Sequence, residues 1–347
     1  MTKKKHYFIF VFKYRFRKVA FNNLLKFKKI KNYRLIDLSG PYKYFLFSKL
    51  LIFIIDSFPK KFKNITLISC DGLPFIKKNA VNIWFGGTNL KIPNQFKSYK
   101  NNIPMIKNLI VKEKNFVNFY PCDLKKIIFK KNFKIVFVGR LNLNNSIEIK
   151  KIWKKYNKKI MNNFSLIEDK IFFKTIGISE IDHQKNIYLG LKSQIRLDIM
   201  KKINKKFKNE LILVGSDWSA HIKNSINDNH NVKFVRNLYK GNLCIDIGSR
   251  WGNNCLYPRS IEIIESSGML LQSQQPDTKN IFGLNAKFIG FNSYQNLLNI
   301  ILMYKKNHNF LNFNYKKIYS LFENNEKNFQ TLKKIKKISN NYKKKFN

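Results

Sequence analysis

The sequence predicts an α/β protein of two successive Rossmann-like units, each a parallel sheet covered by helices, with a long Lys-rich helix at the C-terminal end. Two patterns lead there. Short apolar runs at 7–12, 65–69, 134–138 and 243–247 are continuous rather than alternating, as in strands buried on both faces. Stretches of helical periodicity separate them, so crossovers rather than hairpins join the strands. Length supports a pair of units, because 347 residues exceed the roughly 250–300 that one core fills.

The first unit, residues 1–125, is expected to carry strands at 7–12, 33–38, 65–69, 81–85 and 116–120, with helices at 18–30 and 44–55. The apolar run 44–58 contains Lys49 and Asp56 and falls short of the about 20 residues that span a bilayer. It therefore reads as a buried amphipathic helix packed on a sheet. Residues 122–132, following Pro121, read as a linker.

The second unit, 126–310, opens with a strand at 134–138 ending in Gly139-Arg140. The next helix sets Ile149, Ile152, Tyr156 and Ile160 on one face. A helix at 191–207 leads to a strand at 210–214 ending in Gly215-Ser216. Strands at 232–235 and 243–247, a helix at 258–267, a strand at 269–272, a short strand near 287–291 and a helix at 294–304 follow. In the remaining segment, 311–347, a helix from Tyr315 keeps Ile318, Leu321, Phe322, Phe329, Leu332 and Ile335 on one side, and its end frays. Two units of this kind are expected to face one another across a cleft, with ligands beyond the carboxyl ends of the strands.

Composition excludes several classes. A hydrophobic fraction of 44% with 15% aromatics is incompatible with wholesale disorder. Four Cys (70, 122, 244, 255) form neither a disulfide framework nor a metal-ligand spacing, and isolated thiols suit a reducing, cytoplasmic setting. The net charge of +47 suggests nucleic acid at first sight. Only eight of the 67 basic residues are Arg, however, and the Lys are spread evenly among abundant Asn, Ile, Phe and Tyr. A phosphate-gripping surface favours the planar fork of Arg. The charge therefore reads as compositional drift, no nucleic-acid partner is expected, and the basic surface suits peripheral contact with an anionic membrane face. The basic start with its six-residue apolar run, 7–12, lacks the core and cleavage site of a signal peptide.

The richest stretch is Gly248–Gln272. A loop of Gly and Asn precedes Pro258, which suits the first turn of a helix. Arg259 stands in that turn, where a helix N-terminus attracts anions, and its charge opposes the dipole unless an anion is bound. Glu262 lies one turn on, placed to accept hydrogen bonds from a ribose diol. Gly268 closes the helix where a left-handed residue is favoured.

The pattern Asn254-x4-Arg259-x2-Glu262-x5-Gly268 resembles the donor-binding segment of GT-B glycosyltransferases of the glycosyl transferases group 1 superfamily, nearest to the CgeB-like (spore maturation protein-like) branch. Phe137-Val138-Gly139-Arg140 resembles the first strand of that family's C-terminal domain, whose loop faces the donor diphosphate. Leu211-Ile212-Leu213-Val214-Gly215-Ser216 resembles a later strand whose loop lies near the base. The resemblance covers about residues 134–305. It implies sugar transfer from a nucleotide-sugar donor to a glycan or glycolipid acceptor, without a cofactor or tightly bound metal. Glu262 would bind the ribose, and Arg259 with Arg140 would compensate the diphosphate charge. Asn254 stands where many retaining relatives carry Glu, and an amide can hydrogen-bond a sugar hydroxyl but carries no charge.

Blander readings stand beside these. Arg259 and Glu262 at i, i+3 also suit a surface ion pair worth a few tenths of a kcal/mol. A Gly after a strand, such as Gly139, is common in any α/β protein. Gly86-Gly87-Thr88-Asn89 fits a cleft-lining loop or a tight turn equally well. Asp71, after the strand 65–69, is the candidate catalytic base by position. His183 beside Asp182 reads as a loop residue rather than an acid/base pair. Trp218 and Trp251 suit a core more than a stacking platform.

Overall fold

The computed structural model describes residues 5–12, 29–30, 33–38, 42–58, 61–70, 80–84, 102–104, 127–143, 146–227, 232–248, 258–274, 278–279, 282–322, 332–333, 335–337 and 340. The chain is a mixed α/β protein with two separate, largely parallel sheets. It divides into two compact units. One comprises Met1–Asp123, Asn254–Ile261 and Ser320–Asn347; the other comprises Leu124–Asn253 and Glu262–Tyr319.

The first unit holds β1 (His6–Phe12), β2 (Lys29–Ile30), β3 (Tyr33–Asp37), α1 (Tyr42–Ser57), β4 (Ile65–Cys70), β5 (Ala80–Trp84) and β6 (Asn102–Pro104). Its sheet runs in the order β2-β3-β1-β4-β5-β6. All pairings are parallel except β2 with β3, which is antiparallel. Phe8, Ile9 and Phe10 are all buried, so both faces of the central strand β1 are covered. At its start the buried His6 ring shares a 3.0 Å hydrogen bond with Thr66 Oγ1 of β4. Helix α1 buries only Ile52, Ile55 and Asp56 among residues 50–56, whereas Leu50, Leu51, Phe53 and Ile54 are exposed. The amphipathic helix expected at 44–58 thus has one side buried over 50–58, but its outward side there is apolar rather than polar. The helix expected over 18–30 ends instead in strand β2, and its remainder lies outside the described residues, as does the strand at 116–120.

The second unit begins with β7 (Ile135–Val138) and α2 (Ile147–Asn162). Ser146 Oγ caps α2 by accepting the Ile149 N–H at 3.2 Å. A 3-10 turn at Phe164–Glu168, α3 (Lys170–Thr175) and α4 (Ile181–Phe207) lead to β8 (Leu211–Val214). Ile149, Ile152 and Ile160 are the buried stripe of α2. Gly190 of α4 is what lets α4 approach it, because a Cβ there would lie 2.1 Å from Ile149 Cδ1. Then come α5 (Val232–Tyr239), β9 (Leu243–Asp246), α6 (Pro258–Glu265), β10 (Met269–Ser273), a 3-10 turn at Gly283–Phe288, β11 (Gly290–Phe291), α7 (Tyr294–Lys306) and α8 (His308–Phe322). The five strands are all parallel, in the order β11-β10-β9-β7-β8.

Helix α8 begins at His308, seven residues before the expected Tyr315, and three further elements differ from expectation for identifiable reasons. Residues 232–235 belong to helix α5, not a strand: Val235 and Tyr239, four apart, are its buried pair, and the β-branched valines misled. Helix α4 starts ten residues before the expected position 191, since its polar first turns still bury Ile187 and Tyr188. Of the expected strand at 287–291 only Gly290–Phe291 is extended.

Candidate functional site

From β7 the chain passes to β8 on one side of it, then returns to β9 on the other and continues outward to β10. The direction of winding therefore reverses between β7 and β9, and the C-terminal ends of these strands flank a topological switch point. Ligand crevices of parallel sheets form at such points because the two connecting loops diverge. Here one side chain spans the gap. Arg196, on the buried face of α4, donates from Nε (3.2 Å) and Nη2 (2.7 Å) to the Ile247 carbonyl after β9. Its Nη1 donates to the Arg140 carbonyl after β7 at 3.4 Å.

The loops after β7 and β8 close on each other. The Gly139 N–H donates to the Val214 carbonyl at 2.8 Å, and Trp218 Nε1 donates to the Gly139 carbonyl at 2.6 Å. Gly215 adopts φ +138°, and a Cβ there would fall 2.4 Å from the Gly139 oxygen. Arg140 points outward and donates from Nε to Asp217 Oδ2 at 2.9 Å. That hydrogen bond, foremost, holds the Asp217 carboxyl below its ordinary range.

Behind the crevice α4 presents Tyr188, Lys192 and Arg196 at i, i+4 and i+8, all buried. The Lys192 ammonium lies 3.5 Å from Oγ of Ser273, the last residue of β10, and 4.0 Å from Glu168 Oε1. Both distances are long for a charge withdrawn from water. Burial pushes the Lys192 amine below its ordinary value, opposed chiefly by the charge of Glu168. Tyr188 donates to Glu168 Oε1 at 3.2 Å, and burial raises its phenol well above the usual range. Gln272 Nε2 donates to Thr278 Oγ1 at 2.6 Å, both side chains being buried.

The residues singled out in the sequence fall into three groups. Gly139, Arg140, Gly215 and Ser216 come together at the ends of β7 and β8. Arg259 and Glu262 share helix α6, which the chain enters after leaving β9. Its residues up to Ile261 group with the first unit and those from Glu262 with the second. Asp71, Asn254, Trp251 and 86–89 lie outside the described residues. Gly268 plays a different part from the one expected. The left-handed residue closing α6 is Ser267, at φ 62°, while Gly268 gives space: a Cβ there would meet Cys244 Sγ at 2.8 Å. Trp218 is wholly buried. His183 sits in the first turn of α4, not in a loop, and pairs with Glu148 at 2.9 Å.

Sequence reasoning passed over Lys192, Arg196, Glu168 and Asp217. A signal for two of them existed: Lys192 and Arg196 recur one turn apart on the apolar side of a long helix, where charge is costly. Among the described residues, no group of three or more His, Cys, Asp or Glu side chains is placed to hold a metal ion. Compared with protein-family models and with curated proteins, the chain matches neither.

Proposed function

We propose that the chain is a GT-B glycosyltransferase that moves a sugar from a nucleotide-sugar donor to a cell-surface glycan or glycolipid. The observation that carries this reading is the switch point between β7 and β9. Its two loops are tied together by Arg196, a third loop packs against Gly139, and Arg140 stands at the edge. Backbone groups, glycines and basic side chains at the C-terminal edge of a parallel sheet suit a diphosphate.

In this reading Arg140 neutralises the leaving diphosphate as the bond from the anomeric carbon to the diphosphate oxygen breaks, a role that the family resemblance gives to Arg259 as well. The Arg140–Asp217 pair is exposed, so an incoming phosphate can displace the Asp217 carboxylate at small cost. Glu262 accepts hydrogen bonds from the ribose. The acceptor hydroxyl oxygen attacks the anomeric carbon and gives its proton to a general base, for which Asp71 is the candidate by sequence position alone. No metal takes part.

Thermal-shift titration with UDP, GDP, dTDP, CMP and a short RNA tests the reading. A ligand at about 100 times its dissociation constant adds roughly 2.7 kcal/mol, well within detection. The expected result is a shift with one nucleoside diphosphate that Arg259→Ala weakens more than it weakens the matching nucleoside. A salt-sensitive shift with RNA alone would overturn it.

A further inference from the structure

The segment 50–58 departs from the rest of the chain. Nearly a fifth of all residues are Lys or Arg, 67 of 347, yet Leu50-Leu51-Ile52-Phe53-Ile54-Ile55-Asp56-Ser57-Phe58 has none. Compositional drift places Lys wherever an exposed position tolerates it, and this segment offers several such positions. Leu50 is 67% exposed, Phe53 56%, Phe58 51% and Leu51 50%, with Ile54 at 38%. At 100° per residue these side chains and Ser57 form one continuous face, opposite the buried Ile52, Ile55 and Asp56. A helix on an aqueous surface is polar on that side.

Charge stands at the rim of this face. Lys61 and Lys63 follow the helix and are exposed, and the Lys61 ammonium lies 5.4 Å from the Phe58 ring centroid. The only acid in the segment, Asp56, points inward and is 4% exposed. An apolar face bordered by cations and free of outward acids complements acyl chains beneath anionic headgroups. The 16-residue helix is about 24 Å long, short of the roughly 30 Å of a bilayer core. Among the described residues, no helix is long and apolar enough to cross a membrane.

We infer that the outward face of α1 docks the protein onto an anionic lipid bilayer, lying in the interface with Leu50, Leu51, Phe53, Ile54 and Phe58 inserted and Lys61 and Lys63 at the headgroups. This inference does not depend on the glycosyl-transfer reading. The test uses the full chain with vesicles of phosphatidylcholine alone or mixed with phosphatidylglycerol. Phe53→Trp is expected to give an emission blue shift with the mixed vesicles, absent with phosphatidylcholine alone. Leu50→Ser/Phe53→Ser is expected to lower partitioning about tenfold or more. Part of the wild-type binding should survive about 0.5 M salt, where charges are screened within a few Å. Emission from the Phe53→Trp variant that ignores the vesicles would overturn the inference even if the double variant failed to fold. So would binding that salt abolishes and the Ser substitutions leave unchanged, which is adsorption of the +47 charge alone. Loss of a concentration-dependent dimer in the Ser variant, without loss of vesicle binding, would assign the face to a second copy instead.

Discussion

Replacing Lys192 by Met should make the protein more stable and, on the glycosyl-transfer reading, weaken nucleoside diphosphate binding by altering the charge behind the crevice. The side chain is 1% exposed, and among the described residues its ammonium has the 3.5 Å contact to Ser273, the 4.0 Å contact to Glu168 and the Tyr188 ring at 5.7 Å to offset lost hydration. Exchanging a buried ion for an apolar side chain of similar volume is typically neutral or stabilising by about 1–4 kcal/mol. The Glu168 side chain is 35% exposed and can rehydrate, but Asp246, at 4%, loses a nearby positive charge. The lower part of that range, about 1 kcal/mol, is therefore expected. The pH dependence has a definite sign. Burial lowers the folded-state value of Lys192 below its ordinary 10.5, so the unfolded chain holds more protons between the two values. Wild-type stability from this group rises with pH across that window, and the advantage of Lys192→Met shrinks as pH approaches 10.5. Urea unfolding at a series of pH values reads this, and nucleoside diphosphate titration reads the second half, where affinity should fall at least about tenfold. A loss of more than about 2 kcal/mol in the variant would make the amine a structural tie, and the argument from its cost would fail. Unchanged affinity in a stabilised variant would remove Lys192 from the site.

Gly215→Ala should cost about 2–3 kcal/mol, because it combines a φ of +138° with a Cβ 2.4 Å from the Gly139 oxygen. Gly139→Ala meets only the Phe137 ring at 3.3 Å and should cost under about 1 kcal/mol; equal losses in urea unfolding would refute the close approach of the two loops. Cys244 is buried, and burial raises its thiol well above the usual range. Peptide mapping should show Cys244 unalkylated by iodoacetamide in the native protein and alkylated in urea, whereas native labelling at neutral pH would contradict that burial.

Strands were legible in the sequence where both faces are buried, because continuous apolar runs need no partner information. The ends of β1, β7, β8, β9 and β10 fall within a residue or two of the expected positions. Helix α5 was not legible, because two valines in four residues mimic a strand and only the burial of Tyr239 decides for a helix. Among the site residues, Gly139, Arg140, Gly215 and Ser216 were readable as strand-end positions. That they touch was not, because strand order is a long-range property: β7 and β8 are neighbours although more than seventy residues separate them. Arg196 was hidden for the same reason. Its function as a clamp depends on β9 lying beside β7, and no local pattern encodes that adjacency.

The charge itself is informative only where it departs from drift. If Lys accumulates wherever a surface tolerates it, an exposed Lys identifies nothing, and most of the +47 falls under that heading. Two kinds of position resist this explanation. Lys192 is a cation placed where burial penalises it, at the C-terminal edge of a sheet, which tolerance of surface Lys does not explain. The outward face of α1 is the converse, a set of exposed positions from which Lys is missing although solvent would accept it. The buried cation and the Lys-free exposed face both depart from the chain's general pattern, and they lie in different units. On the two readings proposed above, the loops after β7 and β8 serve ligand recognition and the outward face of α1 serves attachment to a surface, so the two functions are separable. Lys192→Met should accordingly leave vesicle binding intact, and Leu50→Ser/Phe53→Ser should leave nucleotide binding intact. Loss of both activities in either variant would mean that the two departures have a single origin.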